Sequence, residues 1–269
     1  MSDLETMGAA GLVAGGMFDA NAHPDVGQTS LGGLKESDGY ERYVELAQSA
    51  GLKGACAVAL PGTEPRQHFE RCRRSGFLTP VAPWKSVGPR RVRRGVQALT
   101  KMGYNAIKIH PRLGGPSVGS KEFRMIAEVA SDEGCVLFVC TYPSSAAENR
   151  LGDSLLRDLE LAILRAPNAR MVLLHAGTVD LLRYIDFCRV NEHLLLDLSF
   201  TLMKYAGSSL DQDLLYALNS FDRRICVGTD YPWYSPKAVT SRLGPMLESL
   251  STVKRRNILH ANIEDYLAG

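Results

Sequence analysis

Eight times along its 269 residues the chain passes from a short apolar run to a longer amphipathic segment, and that count constrains the fold more than any single motif. The strand-like runs fall at 17–23, Ala55–Leu60, Leu78–Trp84, Asn105–His110, Cys135–Thr141, Met171–His175, Leu194–Ser199 and Arg224–Asp230. Between them, apolar residues recur at helical spacing, as with Tyr43, Leu46 and Ala47 in the stretch from Tyr40 to Gly51. Val92, Val96 and Leu99 do the same in a segment that opens at Pro89 and ends near Gly103. Further helices are read at Arg66–Arg74, 121–133, 236–250 and 253–268, and Gly27, Gly32 and Gly33 mark a loop after the first strand. Repeats of about 34 residues, each with room for a crossover helix, predict a (β/α)8 TIM barrel of one domain spanning 1–269. An open doubly wound sheet would carry a glycine-rich phosphate loop after its first strand, and no G-x-G-x-x-G follows His23.

Composition narrows the function. A formal net charge of +2 gives no reason to expect a nucleic acid or an anionic membrane as partner. The six cysteines are scattered, without C-x-x-C spacing, and read as reduced thiols of a cytoplasmic protein. The small apolar stretch Met7–Met17 follows Asp3 and Glu5 rather than Lys or Arg, which argues against a secretory signal, and no apolar run is long enough to span a bilayer. The expected partner is a small-molecule substrate, and homo-oligomerisation is left open.

A barrel of this kind places its chemistry at the C-terminal ends of its strands. On the first strand, Asp19, Asn21 and His23 alternate with Phe18, Ala20 and Ala22, which predicts a polar row on one face. The fourth strand ends Lys108-Ile109-His110, the fifth Cys140-Thr141 and the sixth at His175; the seventh carries Asp197 and Ser199, and the eighth ends Gly228-Thr229-Asp230. Any one of these has an ordinary structural reading, such as a hydrogen-bonded core histidine or a neutralised lysine. Three histidines, a lysine and two aspartates converging on one rim do not, because burying charge is costly without pairing or function. Lys85, Arg90, Arg91 and Arg112 in nearby loops are candidate substrate cations, although Arg90, Arg91, Arg93 and Arg94 read mainly as a solvated helix start. Trp84, Tyr142, Trp233 and Tyr234 follow strands and are candidates for an aromatic wall. Gly115-Pro116-Ser117-Val118-Gly119 matches G-x-S-x-G, but Ser117 lies too far beyond the fourth strand for a nucleophile elbow, so a loop over the barrel mouth is expected.

Together these residues resemble the amidohydrolase superfamily, in particular its amidohydrolase-2 branch. The pieces, in order, are the D-x-H-x-H-like Asp19-Ala20-Asn21-Ala22-His23, then Lys108-Ile109-His110-Pro111, Leu174-His175-Ala176-Gly177, Gly228-Thr229-Asp230-Tyr231-Pro232, and a closing Asn257-Ile258-Leu259 with Asn262. The resemblance implies one or two divalent metals on the rim. Here Asn21 stands where the family has its first histidine, and Cys140 where it has the strand-five histidine. Two readings therefore stand side by side. In one, a single zinc ion is held by His23, Cys140, Asp230 and His175. In the other the site works without metal, as in the family's 2-pyrone-4,6-dicarboxylate lactonase-like members, with cations holding the substrate.

The expected activity is hydrolysis of a C–O or C–N bond in a small carboxylated lactone, ester or amide. Asp230 would activate water, His175 and His23 would orient or polarise the carbonyl, and Lys108 or His110 would stabilise developing negative charge. Trp84, Arg112, Tyr142, Asp197 and Trp233 are the candidate substrate contacts. The alternatives are a metal-dependent decarboxylase of the same superfamily and a catalytically silent binding barrel.

Overall fold

A computed structural model describes residues 16–25, 39–143 and 155–269. The loop with Gly27, Gly32 and Gly33, and nearly all of Met7–Met17, lie outside the described residues. Eight parallel strands form one sheet in chain order: β1 Phe18–Ala22, β2 Gly54–Val58, β3 Leu78–Pro83, β4 Ala106–Ile109, β5 Val136–Cys140, β6 Met171–Leu174, β7 Leu194–Asp197 and β8 Ile225–Cys226. The ladder closes through the residues after β8: Ala20 N–H donates to Val227 O at 2.9 Å, Asp230 N–H to Asn21 O at 2.7 Å and His23 N–H to Tyr231 O at 2.8 Å. This is the (β/α)8 barrel that the repeat predicts.

Around it lie α1 Gly39–Ser49, α2 Pro65–Ser75, α3 Val92–Met102, α4 Lys121–Asp132, α5 Leu155–Arg165, α6 Leu181–Arg189, the short α7 Thr201–Lys204, α8 Leu210–Ser220, α9 Pro236–Leu247, α10 Thr252–Arg256 and α11 Asn262–Ala268. Local chemistry sets their ends. The Glu64 carboxylate accepts from Arg66 and Gln67 N–H, Pro65 opens α2, and Gly76 ends it at φ 61°. Ser120 and Ser235 cap α4 and α9 by accepting from Phe123 and Ala238 N–H.

Two apolar layers follow from strand alternation. Ile107, Ile109, Leu137, Val139, Leu173 and Leu196 face the helices, while Val58, Val81, Val136, Phe138, Val172 and Leu195 fill the barrel. Ile263 and Leu267 of α11 join that inner cluster. They stopper the N-terminal end of the barrel, tied down by Asn262 Nδ2 donating to Ile225 O at 2.7 Å and Asn105 Nδ2 to Leu267 O at 3.0 Å.

The first strand departs from its expected alternation. Phe18 and Ala20 lie in the inner cluster, and Asp19 turns outward to accept from Tyr43 of α1. Asp19 pairs with Ala55 but Ala22 with Ala57, so β1 carries one residue more than its partner over this stretch. That bulge resets the phase. Asn21 and His23 consequently face the barrel mouth without Asp19.

Trp84 also departs from expectation. Its ring is buried against Gly95 of α3, where an added Cβ would sit 2.7 Å from Cη2, and its Nε1–H donates to Glu122 at 3.3 Å. Glu122 accepts in addition from Ser86 Oγ, Val87 N–H and Gly88 N–H, at 2.6, 2.9 and 3.0 Å. One carboxylate on α4 thus fixes the whole loop between β3 and α3. Glu122→Ala is expected to cost about 2–3 kcal/mol, because it orphans several donors at once, and a denaturant midpoint measures the loss.

Candidate active site

The polar residues that end the strands meet at the C-terminal mouth in two neighbouring groups. In the first, Asn21 Nδ2 donates to Asp230 Oδ1 and to Ser199 Oγ, both at 2.9 Å. His23 Nδ1 lies 2.6 Å from Val58 O, an acceptor only, so Nδ1 carries a proton and Nε2 faces Asp230 Oδ1 at 3.4 Å. Burial alone would raise the Asp230 carboxyl, but His175, His23 and Lys108 overrule it and hold it at about 2. Asp197 lies deeper: Ser199 Oγ donates to it, as do the backbone N–H groups of His175 at 3.3 Å and Ser199 at 3.1 Å. It orients the strand ends and does not line the cavity.

The second group surrounds Cys140. Arg112 Nη2 donates to its sulfur at 3.3 Å, and the His110 and His175 rings also hydrogen-bond it. Burial would raise the thiol, yet those two histidines hold it well below the ordinary thiol range. His175 is shifted the opposite way: burial lowers it, but Asp230 and Cys140 outweigh that and raise it. Cys140 and His175 are therefore shifted in opposite directions, each held toward its charged form by the other. Lys108, fully buried one layer below, has no hydrogen-bond partner for Nζ among the described residues. Burial lowers its ammonium despite the nearby Cys140, Asp230 and Asp197.

Above both groups opens a cavity of about 450 Å³ lined by Arg112, Tyr142, His175, Phe200, Lys204, Asp230, Trp233 and Tyr234. Its aromatic wall is continuous: Tyr142 meets Phe200 at a ring separation of 5.1 Å, and Phe200 meets Tyr234 at 5.8 Å. Cations lie on those rings, with Arg112 4.9 Å from the Tyr142 centroid and Lys204 Nζ 4.9 Å from that of Phe200. Lys204 Nζ also donates to Tyr142 Oη at 2.9 Å.

Backbone strain gathers at the same place. Among the described residues, the non-glycine positions with left-handed φ are His175, Ala176, Thr178, Phe200 and Asp230, at 67°, 43°, 57°, 64° and 53°. All follow β6, β7 or β8. Each such position costs about 1–3 kcal/mol, and all five gather where the candidate site lies.

Of the residues singled out by sequence, Arg112, Tyr142, His175, Asp230, Trp233 and Tyr234 line the cavity. His23, Lys108, His110 and Cys140 lie behind that lining, each less than a tenth exposed, with His23 reaching Asp230 and Cys140 reaching Arg112 and His175. Trp84 is elsewhere. Phe200 and Lys204 escaped the sequence reading, although both directly follow the seventh strand, where an aromatic residue and a cation four positions apart are a legible signal. Ser117 sits exposed in the turn before α4, outside the lining.

The donor set does not fit a divalent cation. His23 and Asp230 approach each other, but Cys140 is engaged by Arg112, His110 and His175, and no group of three or more His, Cys, Asp or Glu among the described residues is arranged around a common point. The Asn21 amide directs an N–H, not an oxygen, at Asp230. The four ligands expected together, His23, Cys140, His175 and Asp230, are thus divided between two groups with Lys108 beneath them.

No protein-family model matches the sequence, and no curated protein matches it. Solved structures do. A TIM-barrel protein of unassigned function from Bordetella bronchiseptica aligns with a TM-score of 0.76 at 16% identity, over 94% of this chain and 98% of that one. A protein described as a 2-pyrone-4,6-dicarboxylic acid hydrolase from Pseudomonas putida aligns at 0.64 and 13% identity, over 94% and 98%. The 2,6-dihydroxybenzoate decarboxylase from Rhizobium aligns at 0.61 and 13% identity, again over 94% and 98%. At such identities the likeness establishes the barrel fold.

Proposed function

We propose that this barrel is a hydrolase that adds water to a C–O or C–N bond of a small carboxylated lactone, ester or amide. The observation that carries the reading is the facing of two cations, Arg112 and Lys204, with Asp230 and His175 across one aromatic-walled cavity. A carboxylate on the substrate docks on the guanidinium and ammonium, a ring or acyl chain packs on Tyr142, Phe200 and Tyr234, and the scissile carbonyl reaches the floor. There Asp230 accepts the proton of the hydrolytic water and His175 supplies one to the leaving group. The named structural neighbours support decarboxylation as well as hydrolysis, and both are reactions of carboxylated molecules.

The test is a panel of lactones and aryl esters in carboxylated and neutral pairs, followed by product analysis and by release of CO2. Hydrolysis of the carboxylated members is expected. Lys204→Met should raise KM about ten- to hundredfold with a smaller change in kcat, the cost of one charge-assisted hydrogen bond. CO2 release without hydrolysis would transfer the site to decarboxylation, and equal turnover of the neutral esters would remove the role given to the cations.

A further inference from the structure

We propose that Cys140 is the nucleophile of this site and that the reaction passes through a thioester on its sulfur; this rests on the hydrolase reading above. Three features of the floor point there. The sulfur sits at the C-terminal end of β5, facing inward beneath the cavity, within hydrogen-bonding reach of Arg112, His110 and His175. His175 lines the cavity itself, and its Nδ1 is directed at Ser199 O, 3.2 Å away, which fixes the ring beside the sulfur. Lys108, on the neighbouring strand with Lys108 paired to Phe138 and Ile109 to Val139, places a fully buried Nζ without a partner on the same inner face. A buried donor left unpaired is costly, and an oxyanion formed beside Cys140 is an acceptor that would satisfy it.

The step balances without any further reagent. Sγ of the thiolate attacks the acyl carbon, a C–S bond forms, and the carbonyl electrons move to oxygen beside Lys108 and Arg112. Collapse breaks the C–O or C–N bond, and the leaving atom takes the proton of His175. Water then attacks the thioester and gives its proton to Asp230, which passes it to His175. The C–S bond breaks with its electrons on sulfur, so the carboxylic acid leaves and the thiolate–imidazolium pair is restored. The division of labour suits the groups present: a carboxylate held at about 2 is a weak base for attack on an ordinary ester. With His175 within hydrogen-bonding reach to hold the thiol proton, the sulfur needs no other base for that first attack, and a thioester is easier for water to open.

Cys140 also differs from the other cysteines. Cys56, Cys72, Cys135, Cys188 and Cys226 are buried, and burial pushes their thiols up.

Two measurements on the full chain test the proposal. The first is brief treatment of the folded protein with iodoacetamide, followed by peptide mapping. Carbamidomethylation at Cys140 alone is expected, slowed by Arg112→Met, whereas no label at Cys140 short of unfolding overturns the proposal. The second is rapid quench with the mono-p-nitrophenyl ester of glutaric acid and intact-mass analysis. A glutaryl adduct on Cys140 should appear as a burst, accumulate in Asp230→Asn, and vanish in Cys140→Ala together with turnover. Turnover by Cys140→Ala at the unaltered rate would overturn the thioester route and leave hydrolysis by water standing. If no carboxylated ester or lactone is hydrolysed, the hydrolase reading and the thioester route fall together, whatever the labelling shows.

Discussion

Asp230→Asn is expected to lower turnover by about a hundredfold to ten-thousandfold, the range for loss of a general base, while the protein remains folded. The substitution keeps the shape and the Oδ1 acceptor for the Asn21 amide, so the hydrogen bond that ties β1 to the strand-eight end survives. What it removes is the charge between His23, His175 and Lys108. A folded-state value of about 2 against an ordinary 3.8 corresponds to roughly 2 kcal/mol of stability by linkage, well inside the usual margin of a globular protein. The sign follows from the lowered value: this contribution is present above pH 3.8 and disappears as pH falls through about 2. Circular dichroism, a melting curve and kcat with a carboxylated ester check the prediction. Full activity in a folded Asp230→Asn variant would sink the hydrolase mechanism.

Asp19→Ala is expected to cost about 3–5 kcal/mol and to loosen the seam where the barrel closes. The Asp19 carboxylate accepts from Thr229 Oγ1 at 2.6 Å, Thr229 N–H at 2.8 Å, Tyr43 Oη at 2.6 Å and Asn21 N–H at 3.1 Å. It thereby joins β1, α1 and the strand-eight end through one buried group. Truncation leaves those donors without acceptors in a region that water does not reach, and each buried orphan costs about 1–3 kcal/mol. Burial raises this carboxyl to about 6 despite the hydrogen bonds. Linkage therefore favours the fold fully below pH 3.8 and loses that contribution, about 3 kcal/mol, as pH rises through about 6. The cost of Asp19→Ala, read at each pH as the difference between wild type and variant in urea titrations, should therefore be larger at pH 4 than at pH 7; taking the difference cancels His68, which burial lowers to about 4 and whose contribution runs the other way.

Most of the barrel is legible in the sequence because strand alternation and helix spacing are local signals. The eighth strand shows where that stops. Its apolar run extends to Asp230, but regular pairing with β7 ends at Cys226, since Val227 and Asp230 turn their backbones to β1 instead. The outward turn of Asp19 was not legible, because a bulge depends on how β1 matches β2 and leaves the one-residue polar rhythm unchanged. Trp84 misled for a related reason. It ends a strand as an active-site aromatic would, and only the space over Gly95 and the acceptor on Glu122 draw it into the core. The floor residues could be found by position in the repeat. Their division into an Asp230 group and a Cys140 group required distances across four different strands.

The stopper that Ile263 and Leu267 form has a consequence for traffic. With the far end of the barrel sealed by side chains, the vessel has one doorway, and whatever departs retraces the path of what arrived. On the hydrolase reading proposed above, a product that keeps its carboxylate leaves past the same Arg112 and Lys204, and competitive inhibition by added product is the expected result in steady-state rates.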